Sequence, residues 1–275
     1  MRDADCVGFL QWALPHLHLR WPGFRKVRKQ ICKRVERRLR ELGLPDAHAY
    51  RSFLEAHPKE WESLDSACRV TISRFYRDRR VFDYLGTELL PGLAELASSR
   101  DERSVRCWSV GCASGEEPYT MAILWELSVR PRFPHLQMHI LATDVDPHLL
   151  DRAREACYPA SSLRDLPPEW RSVAFDKAER GYRLRERFRQ DVKLAQQDIR
   201  KEQPQEGFHL VLCRNLVFTY FDETLQGQVL DAMLTHLEPG GALVIGDRES
   251  LPQTVTRSLE PWNESLHIYR RRSAG

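Results

Sequence analysis

Four short stretches hold the residues able to do chemistry: SRFYR (Ser73 to Arg77), GCASGEE (Gly111 to Glu117), ATDVD (Ala142 to Asp146) and CRN (Cys213 to Asn215). In the second, a turn of glycines and small residues, Gly111 and Ala113 among them, runs into the paired acids Glu116 and Glu117. Such a turn between a strand and a helix lets the backbone approach a nucleotide-like cofactor. It is neither GxGxxG nor a GxxxxGK[ST] phosphate loop, since no lysine follows. Two acids at a helix start suit the macrodipole. They equally suit a cationic ligand group lying over the turn, and would repel a diphosphate. Asp144, at a strand end, is placed to accept hydrogen bonds from ribose hydroxyls, while Asp146 reads as the cap of the next helix. Arg214 and Asn215 follow the apolar run FHLVLC and so lie over the ligand crevice of an open α/β sheet. In SRFYR, Phe75 and Tyr76 stand among Arg74, Arg77, Arg79 and Arg80, just ahead of the glycine turn. An aromatic pair at a domain junction is by itself more often core than site.

The elements that must position these groups alternate. VRCWSV reads as a strand, PYTMAILWEL as a buried helix, HILATDVD as a strand and PHLLDRAREACY as a helix. VKLAQQDI resumes the sheet with Asp198 near its end. FHLVLC is continuously apolar, as a strand covered on both faces should be. QGQVLDAMLTHLEPGG reads as a helix with a proline-glycine stop, GALVIGD as the next strand and ESLHIYRRR as an edge strand. Residues 160–190 break the alternation, and within them ERGYRLRERF reads as a turn and a strand, marking an insertion. One doubly wound sheet follows from the alternation.

Ahead of the sheet stands a helical preface, residues 1–90, with the remaining 91–275 forming the sheet domain. Residues 24–42 place Phe24, Val27, Ile31, Val35, Leu39 and Leu42 on one helical stripe, with Gly43 as the stop. The other faces of that helix carry Arg25, Lys26, Arg28, Lys29, Lys33, Arg34, Arg37, Arg38 and Arg40 against Glu36 and Glu41. That local field points to an acidic partner, protein or nucleic acid, more than to a solvated face. Asp46 caps AHAYRSFLEA and Pro58 opens PKEWESLDSACRV, which makes a preface of four helices.

The net charge of the 275-residue chain is only +3, so the distribution matters more than the total. No apolar run approaches the ~18 residues of a membrane span, and the mean hydropathy is -0.52. Asp3 and Asp5 stand where a signal peptide would be basic, which places the protein in the cytosol. The seven cysteines form no CxxC pair and no ligand-like cluster with histidines, so no metal site is expected, and reduced, mostly buried thiols are.

With these motifs in this order, the chain resembles the CheR-type chemotaxis methyltransferases, which transfer a methyl group from S-adenosylmethionine to receptor glutamate side chains. The similarity runs from about residue 20 to 255 and includes the basic helix, SRFYR, GCASGEEPYT, ATDVD, CRN and LEPGGALVIG. GEEPY and CRN are its specific parts. The resemblance implies an α/β fold, a Rossmann-like class I methyltransferase sheet with a small N-terminal helical domain and a short inserted β-subdomain. It makes Arg77 the active-site arginine, Glu117 the acid for the methionine amino group and Asp144 the ribose ligand. Asp198 and Ile199 fall near the adenine, Gly111 and Ala113 in the cofactor turn, and Arg214 and Asn215 at the strand-end pair. Arg28, Lys33, Arg37 and Arg38 would dock an acidic helical region of a chemoreceptor. The pattern departs from the family at RNLVFTYF, where four residues rather than three separate Asn215 from Tyr220, so a catalytic Tyr220 competes with a core aromatic. Asp198 stands where the family has an asparagine, and the insertion is shorter.

A carboxylate acceptor is already ionised at neutral pH and needs no general base; the site then has to align the reactants and exclude water. A methyltransferase of another protein or a small molecule differs only in acceptor. RNA methylation lacks an NPPY-like strand end. A cofactor-sensing scaffold without transfer is disfavoured by the joint presence of Arg77, Glu117, Asp144 and Asn215.

Overall fold

Residues 2–252 and 258–272 are described by the computed structural model. The first of its two compact units comprises Met1–Thr71 with Thr219–Gln226. It contains α1 (Asp3–His16), α2 (Trp21–Phe24), α3 (Arg28–Glu41), α4 (Ala47–Ala56) and α5 (Glu60–Cys68). Helix α3 buries Ile31, Val35 and Leu39 at four-residue spacing. It is shorter than expected over 24–42, because Pro22 opens the separate turn α2 and Val27 is left as the residue before α3. Gly43 closes it with φ 67°. Asp46 caps α4 by accepting from Ala49 N at 2.8 Å. Glu60, which starts α5 beyond Pro58, is buried, and its carboxylate accepts from Arg38 Nε and Nη2 at 2.8 Å and from Tyr50 Oη at 2.8 Å. The expectation of reduced thiols fails at one pair: Cys6 on α1 and Cys32 on α3 form a disulfide. No motif marks a pair 26 residues apart; the packing of α1 beside α3 brings the sulfurs together. Cys68, Cys107, Cys112, Cys157 and Cys213 are free.

The second unit comprises Ile72–Phe218 with Gly227–Gly275. Helices α6 (Arg79–Tyr84) and α7 (Leu90–Ser99) are joined by a π turn at Leu85–Leu89. Val81, Phe82, Leu85, Leu89, Leu93 and Ala97 enter the same core as the sheet. Residues 72–90, given to the preface by sequence, fall in this second unit, while Thr219–Gln226 join Met1–Thr71 in the first. The strands are β1 (Ser104–Val110), β2 (Gln137–Asp144), β3 (Cys157–Tyr158), β4 (Phe175–Ala178), β5 (Gly181–Leu184), β6 (Val192–Gln196), β7 (Phe208–Cys213), β8 (Leu237–Ile245), β9 (Leu259–Asn263) and β10 (Ile268–Arg271). Between them run α8 (Glu116–Leu124), α9 (Pro147–Glu155), α10 (Pro168–Ala174), α11 (Val217–Tyr220) and α12 (Glu223–His236).

Seven strands form one sheet in the order β6-β2-β1-β7-β8-β10-β9, parallel except that β10 is antiparallel to both neighbours. The expectation of an edge strand at the C-terminus is corrected: β10 is interior and β9 covers it. Pro261 sits in β9, where an edge position leaves its missing N–H harmless. LEPGG is likewise not a helix stop but the irregular start of β8, with a register shift opposite Phe208 to Leu210. The insertion forms a three-stranded antiparallel sheet, β3-β5-β4.

Candidate active site

The charged groups of the site stand at or just past the carboxyl ends of parallel strands or on the segment before α6. The strand order reverses between β1 and β7, the switch point at which open α/β sheets bind ligands. Glu117 begins α8 after β1, and Arg214 follows β7. Across the switch point Arg214 Nη1 donates to Glu117 Oε2 at 3.0 Å. Ser109 Oγ, from β1, donates to Glu117 Oε1 at 2.8 Å. Burial raises the Glu117 pKa, with Arg214 opposing the rise. Arg214 has only 2% of its side chain exposed. Its Nη2 donates to Asp78 Oδ2 at 2.6 Å and to the Arg77 carbonyl at 3.1 Å, and its guanidinium lies 5.1 Å from the Phe82 ring centroid.

Arg77 is presented differently, with 30% of its side chain exposed. Its Nη2 donates to Asn215 Oδ1 at 3.2 Å and its Nη1 to the Ile72 carbonyl at 2.7 Å. The residues on either side, Tyr76 and Asp78, are left-handed, with φ 58° and 64°. Ala113 and Asn215 are left-handed too, at φ 49° and 57°. Such conformations in non-glycine residues cost on the order of 1–3 kcal/mol each and persist where surrounding contacts over-determine them. Those contacts are present: Phe75 N donates to Ser162 O at 3.0 Å, and its ring meets Tyr158 and Phe175 edge-on at 4.8 and 5.2 Å. Tyr76 N donates to Thr120 Oγ1 at 3.1 Å. The aromatic pair of SRFYR is thus core, and the arginine beside it is presented by that core.

The glycine turn is tied to β2. Gly111 N and Cys112 N donate to Thr143 O at 2.8 and 2.9 Å, and Ala113 N donates to Asp144 Oδ2 at 2.9 Å. Asp144 Oδ1 accepts from Asp146 N at 2.9 Å. Gly111 has φ 70°, a left-handed conformation that favours glycine, and a Cβ there would stand 2.6 Å from Leu216 Cδ2. Glu116 differs from its neighbour Glu117: it is buried, accepts from Ser114 Oγ at 3.1 Å, and its pKa is raised by burial.

The motif order of the sequence, borne by this sheet, is matched elsewhere. A family described as CheR methyltransferase, SAM binding domain, matches residues 71–265, beginning one residue before the second unit. The chain belongs to the CheR methyltransferase family. Its relatives include a chemotaxis protein methyltransferase of Listeria monocytogenes, 32% identical over 74% of this chain and 74% of that one. Another, from Salmonella typhimurium, is 31% identical over 83% of this chain and 78% of that one. Among solved structures, the N-methyltransferase NodS of Bradyrhizobium japonicum with S-adenosylhomocysteine aligns at TM-score 0.39 and 18% identity, covering 72% of this chain and 91% of that one.

As a CheR methyltransferase the protein uses S-adenosylmethionine, and the site's donor set fits it. The carboxylates of Glu117 and Asp144 suit a cation and hydroxyl groups respectively, and Gly111 keeps the backbone of the turn between them open. The CheR motifs do not account for every expected site residue. Asp198 is already bound within its own loop, where Arg200 Nε and Nη2 donate to its two oxygens at 2.9 Å. Burial works to raise its pKa, and Arg200 holds it below the usual value. Ile199 is buried beside it. Tyr220 belongs to the first unit, with its ring 4.9 Å from that of Phe24 and its carbonyl accepting from Arg20 N at 2.8 Å. Among the basic residues of α3, Arg38 is occupied by Glu60 and Glu41, and Arg28 lies 3.2 Å from Asp3. Lys33 and Arg37 are exposed, Arg37 lying 3.6 Å from Glu41. Two residues of the site escaped the sequence reading, Asp78 and Glu249. Glu249 is 3% exposed and its Oε2 accepts from Gly246 N at 2.6 Å and Asn215 N at 2.9 Å. A signal for each existed: an acid directly after Arg77, and another just beyond a strand end.

Proposed function

We propose that this CheR-family methyltransferase methylates glutamate side-chain carboxylates on the cytoplasmic regions of chemoreceptor-like proteins. The observation that carries the reading is the presentation of Arg77, a partly exposed guanidinium fixed by Asn215 Oδ1 and the Ile72 carbonyl beside the Glu117–Arg214 pair. A guanidinium orients a carboxylate through charge-assisted hydrogen bonds. A glutamate acceptor, with a pKa of about 4.3, arrives ionised. The chain's residues have only to bind, align and keep water out.

When bound, S-adenosylmethionine supplies an electrophilic methyl group on its sulfonium. Glu117 holds the amino group, Asp144 receives the ribose hydroxyls, and the backbone of Gly111 and Ala113 lines the turn. Ile199 gives the adenine an apolar neighbour. Arg77 orients the acceptor. Tyr220, packed on Phe24, has no part in this reading. The exposed cations of α3, Lys29, Lys33 and Arg37 among them, suit an acidic helical surface on the receptor. The same reading places the protein in the cytoplasm.

Incubation with methyl-labelled cofactor and receptor-containing lysate tests the acceptor. The expected product is a labelled receptor whose label is released by base, as a carboxyl methyl ester requires; a base-stable label rejects a glutamate acceptor. The Arg77→Ala variant is expected to bind S-adenosylhomocysteine normally and to lose about 100-fold in turnover. Full turnover in that variant removes Arg77 from the acceptor's side.

A further inference from the structure

Asp78 stands at the residue before α6, where an aspartate ordinarily caps the helix, and it does not cap: its side chain makes no bond to the α6 amides. It also holds a left-handed backbone, φ 64° and ψ 60°. Its carboxylate is turned to Arg214 Nη2 at 2.6 Å and lies 4.0 Å from Arg77 Nε. Arg214 gives Nη1 to Glu117. Two arginines and two carboxylates thus form one linked cluster with no net charge. Without Asp78, Arg214 would cancel the charge of Glu117, and the cluster would be positive.

We propose that Asp78 takes up the charge of Arg214, keeps Glu117 available to a cation, and so shifts the ratio of affinities toward the sulfonium cofactor relative to its neutral-sulfur product. The proposal rests on the reading of Glu117 as the acid for the cofactor's amino group. Cofactor and product share that ammonium and the carboxylate; the cofactor carries one positive charge more. A pocket made more positive opposes the cofactor more than the product. The plainer role for Asp78, satisfying a buried guanidinium, gives the two ligands no reason to differ.

The experiment is calorimetric titration of the full chain and of Asp78→Asn with S-adenosylmethionine and, separately, S-adenosylhomocysteine, without acceptor. Asparagine tolerates the left-handed backbone and still offers Arg214 an oxygen. The expected result is cofactor affinity ~10-fold weaker and product affinity only ~3-fold weaker, for one charge lost at partly screened range. Asp78→Gly, which also accepts the backbone angle, has to show the same change in ratio. Equal weakening of both ligands, no weakening, or failure of both variants to fold overturns the proposal in favour of a structural role. Glu117→Gln separates the two readings, because it should weaken both ligands through the ammonium they share, whatever it does to their ratio. If it leaves both affinities unchanged, the Glu117 reading falls and the Asp78 proposal with it. If it weakens both while the Asp78 variants leave the ratio untouched, the Asp78 proposal alone fails.

Discussion

Glu249 accepts from the backbone of Asn215, and Asn215 in turn accepts from Arg77, so a buried acid beyond β8 lies two hydrogen bonds from the Arg77 guanidinium. Asn215 is left-handed, and the Glu249 bond helps hold it there. Glu249→Ala is expected to lower turnover about 10- to 100-fold, the scale of a misplaced catalytic group, while S-adenosylhomocysteine affinity changes less. Glu249→Gln, whose amide oxygen can accept the same N–H groups, should recover most of the loss. Steady-state kinetics beside a binding titration checks both; equal loss in the two variants would assign Glu249 a role as a charge rather than as an acceptor. At this scale the sequence displayed Glu117, Asp144 and Asn215 through their positions at strand and helix ends, and Arg77 through the family resemblance of SRFYR. It hid what Asp78 and Glu249 bind, because an acid's partner across the fold leaves no local pattern even where its own position is marked.

Between β1 and β7 the neighbouring elements are joined by more than their ladder. His209 of β7 is fully buried; Arg106 N of β1 donates to its Nδ1 at 3.1 Å, and its Nε2 lies 3.2 Å from Glu102 Oε2. With Nδ1 an acceptor, the ring is neutral. Burial pushes its pKa below 6.5, with Glu102 opposing. The unfolded chain therefore takes up this proton first as pH falls. Stability is fully present above about 6.5 and declines below it until the folded value is reached. Urea unfolding across that window should show the decline, and His209→Gln, which keeps an acceptor for Arg106 N, should flatten it. An unchanged slope would assign the decline to other groups. Element periodicity was legible for β1, β2, β7 and α3, whose apolar patterns are long. It failed at β9 and at LEPGG, where proline and glycine imitate a loop, and where pairing to β10 and to β7 outweighs local preference.

At the scale of the molecule, charge is divided unevenly: the chain is near neutral at +3 while α3 concentrates exposed cations on the first unit. Methyl transfer to an acidic protein substrate should therefore fall as salt is raised, since screening shortens the reach of an exposed field to about 8 Å at physiological ionic strength. Turnover measured against salt, with cofactor affinity measured in parallel, separates docking from cofactor binding; a salt-independent turnover removes α3 from substrate docking. The paired Arg38 is expected to contribute to packing of the first unit instead. By itself the sequence determined the sheet class, the order of the motifs and the cofactor's chemical character. Strand periodicity, a glycine turn and acids at strand and helix ends are local features with local physical causes. The tertiary structure alone decided that Cys6 meets Cys32, that Thr219–Gln226 join Met1–Thr71 in the first unit, that β10 is interior, and that Arg214 links Glu117 to Asp78. Each of these joins residues far apart in the chain, and only packing of whole elements sets such distances.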